Sequence, residues 1–229
     1  MEASSPLRVD LEADTAVVTL DRPDVRNALS TELRQRLREV IEELDARDDV
    51  RSIVLTGTDP AFCSGVDLRE LGSSMPPDDL TGPRGDAFLT CRTPLVAAVN
   101  GPAYTGGLEL VLACHLAVAS ERATFADTHA AHGLVPGWGL TALLADSVGP
   151  RRARWMILTG TPIPAHTALE WGLVNAVVPH GDVVDKALAL ARAVSSAPSS
   201  RRISALLDAQ TARRVADALT LEANAWGTG

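Results

Sequence analysis

The sequence predicts an α/β core followed by a helical C-terminal region. Up to about residue 140, short Val- and Ala-rich runs alternate with segments of helical period, and helical segments dominate beyond it. The 229 residues are 46% apolar and only 3% aromatic. A chain of this size and composition buries a core without disulfide or metal staples, and here builds it mostly from Ala, Val and Leu.

Each element has a local reason. VDLEADTAVVTL (Val9–Leu20) alternates and is rich in Val and Thr, which predicts a hairpin turning near Glu12–Asp14. Ser30 or Thr31 can cap a helix whose apolar positions Leu33, Leu37, Val40, Ile41 and Leu44 recur at helical spacing. SIVLT (Ser52–Thr56) is a short buried strand running into the GTDPAFCSG loop, and VDLREL starts another helix. Gly72–Asp86 is rich in Gly and Pro and without apolar periodicity, hence a surface loop or lid, with a short helix over Ala87–Arg92. PLVAAVNG is a strand, a helix runs from Gly107 to Cys114, and LAVAS and ATFAD are strands. Helices follow at Leu140–Val148 and Pro150–Leu158, split by Gly149, then a helical turn at Thr167–Trp171 and the strand LVNAVVP. Val183–Ser195 is an Ala-rich helix, and Arg201–Trp226 reads as two short helices. The division falls into residues 1–195 as core and 196–229 as a short helical segment.

Charge and motifs exclude several functions. With 21 basic and 29 acidic residues the net charge is −8, which argues against a nucleic-acid partner. Cys63, Cys91 and Cys114 are sparse and form no CxxC, which fits a reducing compartment. MEASSPLRVDLEADTA has no apolar stretch of a secretory signal, and no run reaches a membrane span; the expectation is a cytoplasmic protein. There is no GxGxxG after the first strand, no phosphate-binding GxxxxGK[ST], no HExxH or zinc spacing, and no GxSxG elbow.

What remains is three Gly-rich places: FCSGVDL at 62–68, NGPAYTGGLEL at 100–110 and GLVPGWGLT at 133–141. In the first two, a glycine permits a tight turn that leaves the next backbone N–H, Val66 or Gly106, free to face a ligand. Two such groups aimed at one oxygen make an oxyanion hole. Glu109 stands in an otherwise apolar helical run, where an unpaired carboxylate is costly. It is either a structural group, paired with arginine or favouring the helix's first turn, or a catalytic base.

Beyond these motifs, the chain resembles the crotonase superfamily, the enoyl-CoA hydratases and isomerases. The matching strings are LDRPDVRNALS, VRSIVLTGTDPAFCSGVDLREL, PLVAAVNGPAYTGGLELVLACHLAVAS, ATFADTHAAHGLVPGWGL, TGTPIPAHTALEWGLVNAVVP and ARAVSSAP, in the family's order over about residues 7–200. The resemblance implies a spiral of ββα units with a helical C-terminal region, assembled as a homotrimer or a hexamer (a dimer of trimers). It implies an acyl-CoA thioester as substrate, with coenzyme A entering only as part of it and no permanently bound cofactor or metal. The oxyanion donors carry over to the N–H groups of Val66 and Gly106. Ala61, Phe62, Ser64, Gly65, Asp67 and Leu68 fall on the stretch that cradles adenine and pantetheine. Arg22 and Arg26 lie where the family often has basic residues near the CoA phosphates.

Glu109 falls on the first of the hydratases' two catalytic glutamates. The second is replaced by His129, in the string Phe125-Ala126-Asp127-Thr128-His129. An imidazole titrates near neutrality and can take over a proton transfer. In an extended segment Asp127 shares its face, as an alternate acid; in a helical turn His132 does. His115 stands where the family usually has an aspartate and reads as a buried or subunit-facing residue. The chain stops at Gly229, where family members usually continue through a further helical stretch, and Met75–Gly85 is short for the family. The resemblance implies an enoyl-CoA hydratase of fatty-acid β-oxidation type. A double-bond isomerase using Glu109 alone, or a non-catalytic acyl-CoA-binding homologue, are the other readings.

Overall fold

A computed structural model describes residues 5–70, 88 and 90–226. The loop expected over Gly72–Asp86 lies outside the described residues, as does most of the helix expected from Ala87.

Among the described residues, nine strands make two sheets. The larger has the order β1-β2-β3-β4-β6-β9, from β1 (Leu7–Glu12), β2 (Thr15–Leu20), β3 (Ser52–Gly57), β4 (Leu95–Val99), β6 (Leu116–Ser120) and β9 (Ala176–Val178). Only β1 is antiparallel, paired to β2 through a turn at Ala13–Asp14; β2 onward is parallel. The smaller sheet has the order β5-β7-β8, from Ala103–Tyr104, Thr124–Ala126 and Ile163–Pro164. Two passes lay a strand in the large sheet, then one in the small sheet, then a helix. β4, β5 and α2 (Gly106–Ala113) form one such unit. β6, β7 and α3 (Leu140–Val148) form the next.

Strand alternation decides which core each residue enters. Val17, Val54, Val96, Ala98 and Val118 point to one face, where Val183, Ala187, Leu188 and Ala191 of a later helix cover them. Their neighbours Val18, Ile53, Leu55, Ala97, Val99 and Ala119 point to the other, into the main core with Leu33, Leu37, Ile41 and Leu108. The helix α1 (Thr31–Asp45) starts where expected: Ser30 is its cap, accepting a bond from Leu33 N–H at 3.2 Å. After α3 come α4 (Pro150–Thr159), α5 (Ala165–Trp171), α6 (Val183–Ser196) and α7 (Ser200–Trp226).

Two local expectations fail. The segment 201–226 is one helix of 27 residues from Ser200, not two short ones; it contains no Gly or Pro to interrupt it. No helix starts at Val66. Val66 bridges to Leu29 in extended form. Asp67 then takes the next amides itself, its carboxylate accepting from Arg69 N–H at 3.2 Å and its carbonyl from Glu70 N–H at 3.0 Å. The bridge to Leu29 keeps Val66 extended, so the chain first turns at Asp67.

Candidate active site

The site is assembled where the two Gly-rich segments meet. Leu29 N–H donates to Gly65 carbonyl at 2.8 Å, and Asp67 N–H to Leu29 carbonyl at 3.1 Å. In extended backbone alternate N–H groups face opposite ways, so the Val66 N–H between them points away from Leu29. Gly65 has φ +96°, and a Cβ there would lie 3.0 Å from Thr105 Cβ and 3.4 Å from the Gly106 nitrogen. The Val66 and Gly106 backbones are thereby held side by side. Gly106 opens α2, where the first N–H groups have no intrahelical acceptor.

Gly107 permits this contact. A Cβ on it would overlap the carbonyl of Cys63. Thr105, just before the helix, sits at φ +54°, a conformation that costs a non-glycine residue about 1–3 kcal/mol. Three bonds hold it there. Its N–H donates to Ala126 carbonyl at 2.9 Å, its carbonyl accepts from Glu109 N–H at 3.0 Å, and its hydroxyl meets that of Thr128 at 2.6 Å.

Glu109 lies one turn along α2 from Gly106, hence on the same side of the helix. It is only 4% exposed. No arginine or lysine pairs with it among the described residues; its Oε1 accepts from Trp138 N–H at 3.1 Å. Burial pushes its carboxyl up to about 7, moderated by the positive field of His129 and the Trp138 bond, and reinforced by Glu222 and Asp127.

His129 follows β7 and precedes a 3-10 turn at Ala130–His132. Its Nδ1 lies 2.5 Å from Oδ1 of Asp127, which is fully buried. Burial disfavours the imidazolium, but the Asp127 bond and the negative field of Glu109 outweigh it, so the net shift is upward. With Nδ1 committed to Asp127, Nε2 is the nitrogen left for a ligand. Asp127 therefore serves His129 and is not a second acid of its own, while His132 is exposed at the rim.

Ser64, Val66, Leu68, Thr105, Glu109, Thr128, His129, Leu134 and Trp138 line one cleft. Other predicted residues lie outside its lining. Ala61 and Phe62 are buried, so only their main chain can meet a ligand. Their carbonyls already accept from Asn27 Nδ2, at 2.7 and 3.2 Å. Arg22 donates to Ala28 carbonyl and to Asp67 at 3.0 Å, an ion pair that fixes this loop. Arg26 is exposed, and its carbonyl accepts from Ser64 N–H at 3.0 Å. His115 is half-buried, its Nδ1 accepting from Leu95 N–H at 2.9 Å.

Sequence reasoning singled out one further contributor without giving it a role, and missed another. The third Gly-rich segment roofs the cleft and supplies the Trp138 N–H. Glu222, on α7, is 3% exposed and accepts from Gly139 and Thr141. Its signal was present: with Val215 and Ala218 it occupies i, i+3, i+7 positions, an acidic residue on an apolar stripe.

Comparison with known proteins gives a consistent answer. Residues 10–227 match the family described as enoyl-CoA hydratase/isomerase. A probable peroxisomal enoyl-CoA hydratase of Arabidopsis thaliana is 38% identical over 182 residues, 78% of this chain and 68% of that protein. An enoyl-CoA hydratase of Mycobacterium tuberculosis is 37% identical over 204 residues, 86% of this chain and 77% of its own length. The crystal structure of an enoyl-CoA hydratase from Mycobacterium tuberculosis superposes with a TM-score of 0.87 at 39% identity, covering 96% of both chains. An enoyl-CoA hydratase/isomerase from Pseudoalteromonas atlantica gives 0.88 at 32% identity, covering 95% of this chain and 88% of that one.

Proposed function

Because the chain belongs to the enoyl-CoA hydratase/isomerase family, whose fold it has, we propose that it adds water across the 2,3 double bond of a trans-2-enoyl-CoA. The observation that carries this reading is a single cleft holding Glu109 and His129 beside the Val66 and Gly106 backbone. The thioester carbonyl oxygen sits between those two N–H groups. Glu109 in its carboxylate form takes a proton from water as the water oxygen bonds to C3. The double-bond electrons move to the thioester, and the resulting enolate oxygen is stabilised most strongly where the donors are already in place. His129, charged and held by Asp127, delivers a proton from Nε2 to C2. The proton on Glu109 then returns to His129 through solvent, and the net change is one water added.

The titration of the two groups supports this division. A carboxyl near 7 is a far stronger base than an ordinary glutamate, yet remains partly ionised at neutrality. The upward shift of His129 keeps a donor available at the same pH. Coenzyme A enters as part of the substrate. By family membership the working form is a homotrimer or a dimer of trimers. The exposed Leu158, Leu169, Ile203, Leu206 and Leu207 provide apolar surface for such an assembly. No helix among the described residues is long and apolar enough to cross a membrane.

The test is mass spectrometry of crotonyl-CoA and a longer trans-2-enoyl-CoA incubated with the protein in deuterated water, beside Glu109→Gln. A 3-hydroxyacyl product that disappears in the variant is expected. Deuterium in recovered substrate without hydration would replace this reading with double-bond isomerisation. Bound acyl-CoA with neither signal would leave only a binding role.

A further inference from the structure

We propose that Glu222 is a positioning residue for the reaction. From the C-terminal helix it holds the Trp138–Thr141 turn at the height where the Trp138 N–H meets Glu109. The proposal rests on the reading of Glu109 as the base.

The helix α3 begins at Leu140 with no side-chain cap of its own; its N-cap is Gly139, at φ +82°. Glu222 supplies the missing acceptors from another element. Its Oε2 accepts from Gly139 N–H at 2.9 Å. Its Oε1 accepts from Thr141 N–H at 3.0 Å and from the Thr141 hydroxyl at 2.5 Å. A carboxylate at a helix N-terminus is favoured by charge as well as by hydrogen bonds.

The neighbouring residue shows that the fit is tight. A Cβ at position 139 would lie 2.9 Å from Val215 Cγ1, so α7 rests directly on the turn. The turn is gripped by apolar contact at Val215 and by the Glu222 carboxylate, both buried. Trp138 is the residue immediately before Gly139, and its N–H is the backbone group that solvates the buried Glu109 carboxylate. A shift of the turn by a few tenths of an ångström lengthens that bond directly.

Three charged groups face Glu109 from the elements around it: Asp127 and His129 from the end of β7, and Glu222 from α7. An ion pair also links α3 and α7, Arg214–Asp146 at 2.9 Å, but it is exposed. A cap that only stabilised α3 would leave the titration of Glu109 untouched; a positioning residue would not.

The test uses Glu222→Asp and Thr141→Val in the full chain. Glu222→Asp keeps the charge that Glu109 feels but withdraws the carboxylate by one methylene, roughly 1.5 Å. Loss of a hydrogen bond to a charged group then predicts a fall in kcat for hydration on the order of tenfold. KM should change by less than about threefold, since substrate is not contacted. The midpoint of Glu109, followed by carbon-13 NMR of glutamate-labelled protein and assigned by its absence in Glu109→Gln, should rise by roughly half a unit or more. Thr141→Val removes one of the three bonds at nearly constant volume and should move both readouts the same way, by less. It decides the matter if Glu222→Asp does not fold. Unchanged kcat and an unmoved Glu109 midpoint, whether or not melting falls, would overturn the proposal. If wild type hydrates no enoyl-CoA, the functional reading fails by itself, and the Glu109 midpoint still decides the role of Glu222.

Discussion

Replacing Glu109 by Gln should abolish activity and at the same time make the protein more stable at alkaline pH. The carboxyl is almost fully buried, accepts one backbone bond, and is pushed from 4.5 up to about 7 by that burial. A group whose pKa is higher folded than unfolded contributes stability that is complete below the unfolded value. That contribution is lost as pH rises through the folded value. The window here runs from about 4.5 to 7. A shift of about 2.5 units at 1.36 kcal/mol per unit makes the ionised carboxyl cost about 3 kcal/mol. Glutamine has nearly the same shape, its Oε1 can accept the Trp138 N–H, and it does not ionise. Relative to wild type, Glu109→Gln should therefore gain roughly 2–3 kcal/mol between pH 5 and pH 8. The assay is urea unfolding of both proteins at the two pH values, at fixed protein concentration because assembly shifts apparent stability. Tryptophan fluorescence is the probe. Equal pH slopes for the two proteins, or a variant less stable than wild type at pH 8, would refute the argument that desolvation dominates this carboxyl.

Two further perturbations probe the same site. Asp127→Asn removes the hydrogen bond and charge that do most to raise His129, leaving only the fields of Glu109 and Glu222 against burial, so its midpoint should fall. His129 now contributes stability below its unfolded value near 6.5 and loses it as pH rises through the folded one. The variant should show a flatter stability–pH curve above about pH 6.5 and an alkaline limb of kcat displaced to lower pH. Proton NMR of the histidines checks the midpoint directly, and an unchanged His129 midpoint would count against the pair. Gly107→Ala forces a methyl against the Cys63 carbonyl and should cost about 3 kcal/mol with loss of hydration. Thermal melting compared with Gly181→Ala, where a Cβ meets nothing within 4 Å, separates this from a general glycine effect.

The fold was legible wherever one physical signal acted alone. Alternation placed Val17 and Val18 on opposite faces, helical spacing placed Leu33 to Leu44, and Ser30 marked the helix start. Reading failed where a distant strand pair overrode local propensity, as the bridge to Leu29 does in holding Val66 extended. It failed again where an expected break was missing, as along the uninterrupted 200–226. In the site, Gly65, Gly106 and Glu109 were visible because glycine turns and a carboxylate in an apolar run are anomalies on a line of text. The commitment of His129 Nδ1 to Asp127 was not, because the choice between an extended and a turned backbone at 127–129 changes which side chains meet. Glu222 was legible in principle as an anomaly on its stripe. Its partner, 83 positions away in sequence, is a tertiary fact.

The charge balance of the site argues that these groups are kept for chemistry. Three carboxyls, Glu109, Asp127 and Glu222, are buried near one histidine. Asp127 even leaves Oδ2 without a hydrogen-bond partner among the described residues. Buried carboxylates in excess of their counter-charges destabilise a fold, and apolar replacements of similar volume are commonly neutral or better. Thr105 adds backbone strain at the same point. A scaffold needing only to bind acyl-CoA through Val66 and Gly106 would require neither the raised glutamate nor the histidine that its field charges. Concentration of destabilising features around one cleft, inside an otherwise well-satisfied core, is what a proton-transfer site requires. If the Asp127, His129 and Glu109 positions were made apolar together, the chain should bind acyl-CoA still, melt higher, and exchange no proton at C2.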